Sequence, residues 1–289
     1  MLIPAYGITS KMADICGMEY KIKQTAFLDI LGFGDLVMRS AEDPKLTQQI
    51  FDFLSSIDPN KVHSDAYGFI NKAKEMTSEE LANVEKMHLQ VAEAFGQKWP
   101  IDIAYFSDSL VLSAEDSVAC YIVLELICKL MIRIWNDYGL LIRGGISIDK
   151  LVHISNGPIF GPAMNAAYFL ESKHAKHPRV IFDAKAFAIL KNVPDYNQMK
   201  LLFSDDGDYQ SITLASAYEH LLNTSLIGAH PTSRNQLITE ILATSKKLEK
   251  KIAEFPPDDD KVKPKYVWIK EKVDDLIARG KDSFLTRPL

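Results

Sequence analysis

Two hydrophobic periods alternate along the chain. Residues 24–30, QTAFLDI, read as a strand, whereas residues 44–57, PKLTQQIFDFLSSI, place Leu46, Ile50, Phe53 and Leu54 at helical spacing. Residues 61–99 read as mainly helical and polar, with Ser78 ahead of Glu79 and Glu80 marking a helix start. IDIAYF and SLVLS are separated only by Ser107 and Asp108, which is hairpin spacing. A helix over 116–138 follows. LLIRGGISI and KLVHI then read as paired strands, Gly157 and Pro158 as a break, residues 162–172 as a helix and RVIFD as a strand. This order predicts an α+β fold with a mostly antiparallel sheet.

From Thr232 onward the texture changes to two charged amphipathic helices. Leu237, Ile241, Leu248 and Ile252 recur in the first, and Tyr266, Ile269, Val273 and Leu276 in the second, with Gly280 as its expected C-cap and PPDDD joining the two. The pattern divides the chain into an N-terminal extension (1–23), an α+β domain (24–231) with a helical insertion at about 58–99, and a C-terminal helical hairpin with its tail (232–289).

Composition narrows the classes. With 289 residues, 47% of them apolar, the chain can bury a substantial core. A net charge of −5 argues against a surface built to hold nucleic acid or an anionic membrane. The run VACYIVLELICKLMIRIW is the most apolar, but Glu125, Lys129 and Arg133 form one charged stripe along it, so it is expected to be an amphipathic rather than a membrane-spanning helix. The first residues lack a charged start followed by an apolar run, and a cytoplasmic location is expected. Cys16, Cys120 and Cys128 show no CxxC spacing and are expected as reduced, buried thiols.

The chemistry concentrates at FLDILGFGDL, residues 27–36. Asp29 near a strand end, followed by a turn with small residues, sets a carboxylate beside several free backbone N–H groups. That combination suits Mg²⁺ or Mn²⁺ together with a triphosphate. One carboxylate seldom holds such an ion, so a second is expected on a neighbouring strand, and Asp108 in the hairpin turn is the candidate.

These segments resemble the class III nucleotidyl cyclases. The family's F-x-D-I-x-G-F signature stands here as Phe27-Leu28-Asp29-Ile30-Leu31-Gly32-Phe33, and its strand–turn–strand metal hairpin as Phe106-Ser107-Asp108-Ser109. Arg143-Gly144-Gly145-Ile146 matches its arginine strand, and Gly161-Pro162-Ala163-Met164-Asn165-Ala166-Ala167 its asparagine helix. The four segments follow the family's order over roughly residues 24–215. The resemblance implies a palm-type, ferredoxin-like antiparallel sheet with helices. It also implies two divalent cations, Mn²⁺ or Mg²⁺, bound by Asp29, Asp108 and the carbonyl of Ile30. Phosphates would lie on the amides of Leu31, Gly32, Phe33 and Gly34. Asn165 would orient the ribose from the partner subunit of a homodimer, with the sites at the subunit interface. Phe27 is expected to wall the base pocket, and residues around Ile50 to Leu54 to face it.

The departures matter as much. Where purine cyclases read their base with polar side chains, this chain has Ala104 and Pro158, and where the family carries a transition-state arginine it has Phe169. A purine pocket lacking both base partners leaves polar edges unpaired, at roughly 1–3 kcal/mol each. The chain is therefore most similar to the pyrimidine cyclases of bacterial Pycsar antiphage systems. That similarity implies conversion of UTP to cyclic UMP, with CTP next, and a product read by a separate effector protein. A purine cyclase with a rebuilt pocket and a degenerate nucleotide-binding or regulatory module are the alternatives. His174 and His177 read as a solvated helix end, and Lys173, Lys176 and Arg179 as a surface patch or a hold on the triphosphate. Arg143 reads either as a structural ion pair or as a substitute cation. No GxSxG, HExxH or GxxxxGK[ST] motif supports a hydrolase, zincin or Walker-type reading.

Overall fold

The computed structural model describes residues 19–57, 101–115, 117–154, 157–192, 196, 200–205, 207–223 and 231–281. The expected helical insertion, Cys16 and most of the N-terminal extension lie outside them. The described elements run β1 (Lys21–Leu31), α1 (Phe33–Ser40), α2 (Pro44–Ser56), β2 (Ile101–Phe106), β3 (Ser109–Ala114), α3 (Ser117–Tyr138), β4 (Leu141–His153) and β5 (Ile159–Phe160). After them come α4 (Pro162–Phe169), continued by a π-helical turn (Leu170–His174), then β6 (Val180–Phe182), α5 (Ala184–Leu190) and a 3₁₀ turn (Lys200–Leu202). The last are β7 (Ser204–Asp205), β8 (Gln210–Ile212), α6 (Leu214–Asn223), α7 (Pro231–Glu254) and α8 (Lys263–Lys281).

The strands form one sheet in the order β2-β3-β1-β4-β6-β8-β7, with β5 added to β4. β4 and β6 run parallel and the other paired strands antiparallel. The α+β reading is therefore correct. β1 lies at the centre, and its alternation decides what each face does. Ala26, Leu28 and Ile30 are buried in the main core, packed with α3 residues such as Leu124, Ile127 and Trp135. Thr25, Phe27 and Asp29 alternate with them and face the other way.

Three local readings need correction. The turn around Phe33 is instead the start of α1, whose Phe33 and Leu36 enter the core; with glycines on both sides of Phe33, its eight residues resemble a loop in sequence. The two strands expected over 140–154 are one continuous β4. β1 extends to Lys21 and gives it a ladder partner throughout, while Asp149 and Lys150 mimic a turn only because they face outward, Asp149 pairing with Lys185 at 3.1 Å. Gly280 does not cap α8, which continues to Lys281. The stripe on α3 is mostly covered: Glu125 pairs with Lys129 at 3.4 Å and lies 3.4 Å from His220 of α6, which is fully buried. Burial opposes ionisation there, but Lys129, and then His220 and Tyr121, outweigh it and hold the Glu125 carboxyl at about 2.

The two C-terminal helices share the same core. Leu237, Ile241 and Leu248 of α7 and Tyr266, Ile269, Val273 and Leu276 of α8 are buried in the cluster that contains Trp135. Polar contacts pin the hairpin to the end of α3: Trp135 Nε1 donates to Thr244 Oγ1 at 3.2 Å, and Lys247 Nζ donates to the carbonyls of Trp135 (2.7 Å) and Asn136 (3.0 Å). Cys120 and Cys128 are free and buried, as expected. Among the described residues no helix is long and apolar enough to cross a membrane.

Candidate active site

The outward face of the central strands is organised in rows across the sheet. Asp29 on β1 stands opposite Ser109 on β3 and Arg143 on β4; one row further, Phe27 stands opposite Val111 and Gly145. Asp108 is brought to the first row by the β2–β3 turn. That turn holds only two residues, and its first, Ser107, adopts φ 55°, as tight hairpins of this kind require. The Ile30 N–H donates to the Asp108 carbonyl at 2.9 Å, so the turn is tied to the strand residue next to Asp29. The two sequence-predicted carboxylates are thus neighbours, and the charge of Asp108 bears on Asp29.

The chain leaves β1 through Gly32 at φ 85°, a conformation that favours glycine, and enters α1 at once. The first helical bond runs from Leu36 N–H to the Gly32 carbonyl, and no side chain caps this end. The amides of Phe33 and Gly34 therefore lie in the unpaired first turn. A Cβ added at Gly34 would meet nothing within 4 Å, so the space above that turn is open.

Arg143 and Glu171 complete the row. Arg143 Nη2 lies 3.3 Å from Asp29 Oδ2 and also pairs with Glu171 Oε1, a side chain only 4% exposed. Glu171 escaped the sequence reading. Its signal was a lone acidic residue at the end of the apolar run NAAYFLES, and its arrival depends on Gly145. A Cβ there would come within 2.3 Å of the Ala167 carbonyl and 2.6 Å of Leu170 Cβ, so glycine lets α4 and its π-helical turn settle directly on β4. Arg143 is thus an ion-paired residue, the first of the two readings left open for it.

Electrostatics follow from the crowding. Burial pushes the Asp29 carboxyl up; Arg143 opposes this, and the charge of Asp108 adds to it. Burial likewise pushes Glu171 up, against Arg143 and with help from Asp29 and Asp108. Asp29 and Glu171 share one guanidinium, and the charge of Asp108 bears on both, so negative charge is in excess here. Among the described residues no three acidic, histidine or cysteine side chains converge as a ready-made metal cluster. Two carboxylates leave coordination positions for phosphate oxygens, so the all-oxygen donor set fits Mg²⁺ or Mn²⁺ carried in with a nucleotide.

The second row is apolar. Phe27, Val111 and Ala167 form a small cluster with Ala104, Ile159 and Met164, and Tyr168 meets the Phe27 ring edge-on at 5.3 Å between centroids. Ala104 and the segment after Pro158 therefore meet at one place, with Phe27 as its wall. Ile50 and Phe53 do not face it, contrary to expectation. They are buried in the main core beneath the opposite face of the sheet, where Phe53 packs against Tyr138.

On α4, Ala163 and Ala167 face the sheet, fully buried, while Asn165 and Phe169 are exposed on the outer side of the helix. Of the basic segment, Lys173 and Lys176 are exposed as a surface patch requires, but Arg179 is not part of it. Arg179 is buried and lies over the Trp268 ring of α8, and His177 stacks on that ring at 4.8 Å.

No family model matches the chain, and no curated protein matches it. Among solved structures it is similar to an adenylate/guanylate cyclase/hydrolase from Silicibacter pomeroyi, at 17% identity and TM-score 0.36 over 68% of this chain and 95% of that one. It is similar to the adenylyl cyclase CyaB from P. aeruginosa, at 16% identity and TM-score 0.30 over 68% of this chain and 96% of that one. A third is the dimeric guanylyl cyclase domain of the RhoGC fusion protein from the aquatic fungus Blastocladiella emersonii, at 14% identity and TM-score 0.32 over 68% and 94% of the two chains. At such scores these likenesses add nothing to what the chain's own geometry carries.

Proposed function

We propose that the protein is a nucleotidyl cyclase that converts a pyrimidine nucleoside triphosphate, UTP ahead of CTP, to its 3′,5′-cyclic monophosphate and pyrophosphate. The observation that carries this reading is the juxtaposition of Asp29 and Asp108 beside the uncapped first turn of α1. Two divalent cations, Mn²⁺ or Mg²⁺, held by Asp29, Asp108 and the Ile30 carbonyl, would supply an acidified ribose hydroxyl and neutralisation of phosphate charge. The chain does the rest. The amides of Leu31, Gly32, Phe33 and Gly34 receive phosphate oxygens. The ribose 3′ oxygen attacks the α-phosphorus, its proton passes to solvent, and the bond to the β-phosphate oxygen breaks.

The exposure of Asn165 on the outer side of α4 supports its serving the site of a second copy, with a homodimer of two equivalent sites as the working form. The side chains that meet there, Ala104, Val111, Phe27 and Ile159, are apolar, which supports a base other than a purine read through polar side chains. By its resemblance to the Pycsar cyclases the product is a second messenger of antiphage defence, made in the cytoplasm and read by a separate effector. The exposed Phe169 in place of an arginine favours the other reading, a degenerate binding module.

Incubating the purified protein with each of the four nucleoside triphosphates and Mn²⁺, with products identified by mass spectrometry, separates the readings. Cyclic UMP or cyclic CMP in excess is the expected result; efficient purine cyclisation, or no product from any of the four, overturns it. For assembly, inactive Asp29→Ala and Asn165→Ala chains are allowed to exchange. Activity returns in heterodimers with one intact site, whereas exchange without recovery excludes the shared site.

A further inference from the structure

The chain's own arginine near the reacting phosphates is already spent: Arg143 is shared between Asp29 and Glu171. The position from which the family's transition-state cation would come is Phe169. A leaving pyrophosphate nevertheless develops charge that fixed cations stabilise. A source lies outside the matched segments, on α8.

Several contacts bring the first turns of α8 to the phosphate end of the sheet. The Tyr266 hydroxyl donates to the Gly139 carbonyl at 3.2 Å. The next residue, Leu140, packs against Gly32, since a Cβ there would lie 3.2 Å from Leu140 Cδ2. Two residues along α8, Trp268 stacks on His177, and the Gly144 N–H, next to Arg143, donates to the Arg179 carbonyl at 3.0 Å. Both flanks of the Arg143 segment are thereby tied to α8. Lys265 directly precedes Tyr266, and helical side chains lean toward the N-terminus, so Lys265 leans over the open end of α8. It is half-buried, and among the described residues no carboxylate pairs with its ammonium. It lies close enough to Asp29 for the two charges to attract.

We infer that Lys265, delivered in cis by the C-terminal hairpin, contacts the triphosphate and the departing pyrophosphate at the Asp29–Asp108 site. The inference rests on the cyclase reading for its chemistry, but it makes a claim of its own about binding. It also gives the hairpin a task, since Tyr266 and Trp268 anchor the helix just after this lysine.

The test compares wild type with Lys265→Gln and Lys265→Arg in two assays. The first is turnover of the preferred nucleotide with Mn²⁺; the second is calorimetric binding of Mn²⁺-pyrophosphate. Lys265→Gln is expected to lower kcat/KM about 10- to 100-fold and to weaken pyrophosphate binding by about fivefold or more, with Lys265→Arg recovering most of both. A surface lysine that only shapes the helix would leave both unchanged at an unchanged melting temperature, and that result overturns the inference. If wild type makes no cyclic product but binds Mn²⁺-pyrophosphate in a Lys265-dependent way, the cyclase reading falls and the phosphate contact stands. If wild type neither turns over nor binds, both fall.

Discussion

The two faces of β1 divide the protein's work. On one, Ala26, Leu28 and Ile30 are at most 2% exposed against α3 and the C-terminal helices. On the other, Phe27 and Asp29 meet only a small apolar cluster and a knot of charges. Adjacent residues on one strand thus answer to different demands, burial for the first set and charge placement for the second. The comparison teaches that the site face need not stabilise the fold. Asp29, held above its ordinary range mainly by burial, is a net cost to the folded state once it ionises.

The sharpest way to break the comparison is at Asp29 and Asp108. Asp29→Asn and Asp108→Ala should each lower cyclisation by roughly a thousandfold or more, since in the proposed site both carboxylates share the same cations. Because the Asp29 pKa is raised in the folded state, removing its charge should leave the melting temperature at pH 7 unchanged or higher. Activity within tenfold of wild type, measured alongside the melt, would contradict the assignment.

Leu28→Ala, one residue away, should do the reverse. A fully buried leucine facing α3 loses about 3–5 kcal/mol on truncation. Denaturant unfolding should show that loss, while turnover per folded molecule stays near wild type.

Glu125→Gln probes the core face electrostatically. Its carboxyl is held down at about 2, so its stabilising contribution is present above the ordinary carboxylate range and disappears as pH falls toward 2. Wild type should lose about 3 kcal/mol more than Glu125→Gln between pH 6 and pH 2, read from urea midpoints. Parallel pH profiles would remove Glu125 from the account.

The smallest effect belongs to the base wall. Ala104→Lys places an ammonium among Phe27, Val111 and Ile159, and should reduce pyrimidine turnover by about tenfold with little gain for ATP or GTP. A switch to purine turnover would mean that the pocket's size, rather than its lost polar partners, is what excludes purines.

Much of this was legible in the sequence because the signals were local. The alternation of β1, the two-residue hairpin turn at Ser107 and Asp108, and the helical spacing of Leu237 to Ile252 each depend on neighbours in the chain. What escaped depends on partners far away. β4 reads as two strands unless β1 is known to run on to Lys21. Glu171 looks like a helix surface residue until Gly145 admits α4 onto β4. Lys265 gains meaning only when Tyr266 finds Gly139, 127 positions earlier. Phe33 follows the Gly32 turn and is also a core residue, so one short segment serves both faces.

The central claim is that Asp29 and Asp108 together form a cation site for a triphosphate. Mn²⁺ binding followed by electron paramagnetic resonance, in the presence of 3′-deoxy-UTP, which lacks the attacking hydroxyl, tests it without turnover. Wild type should take up two tightly bound Mn²⁺ per chain, and Asp29→Asn and Asp108→Asn should each lose at least one. Equal uptake by wild type and both variants, or none by wild type, would contradict it.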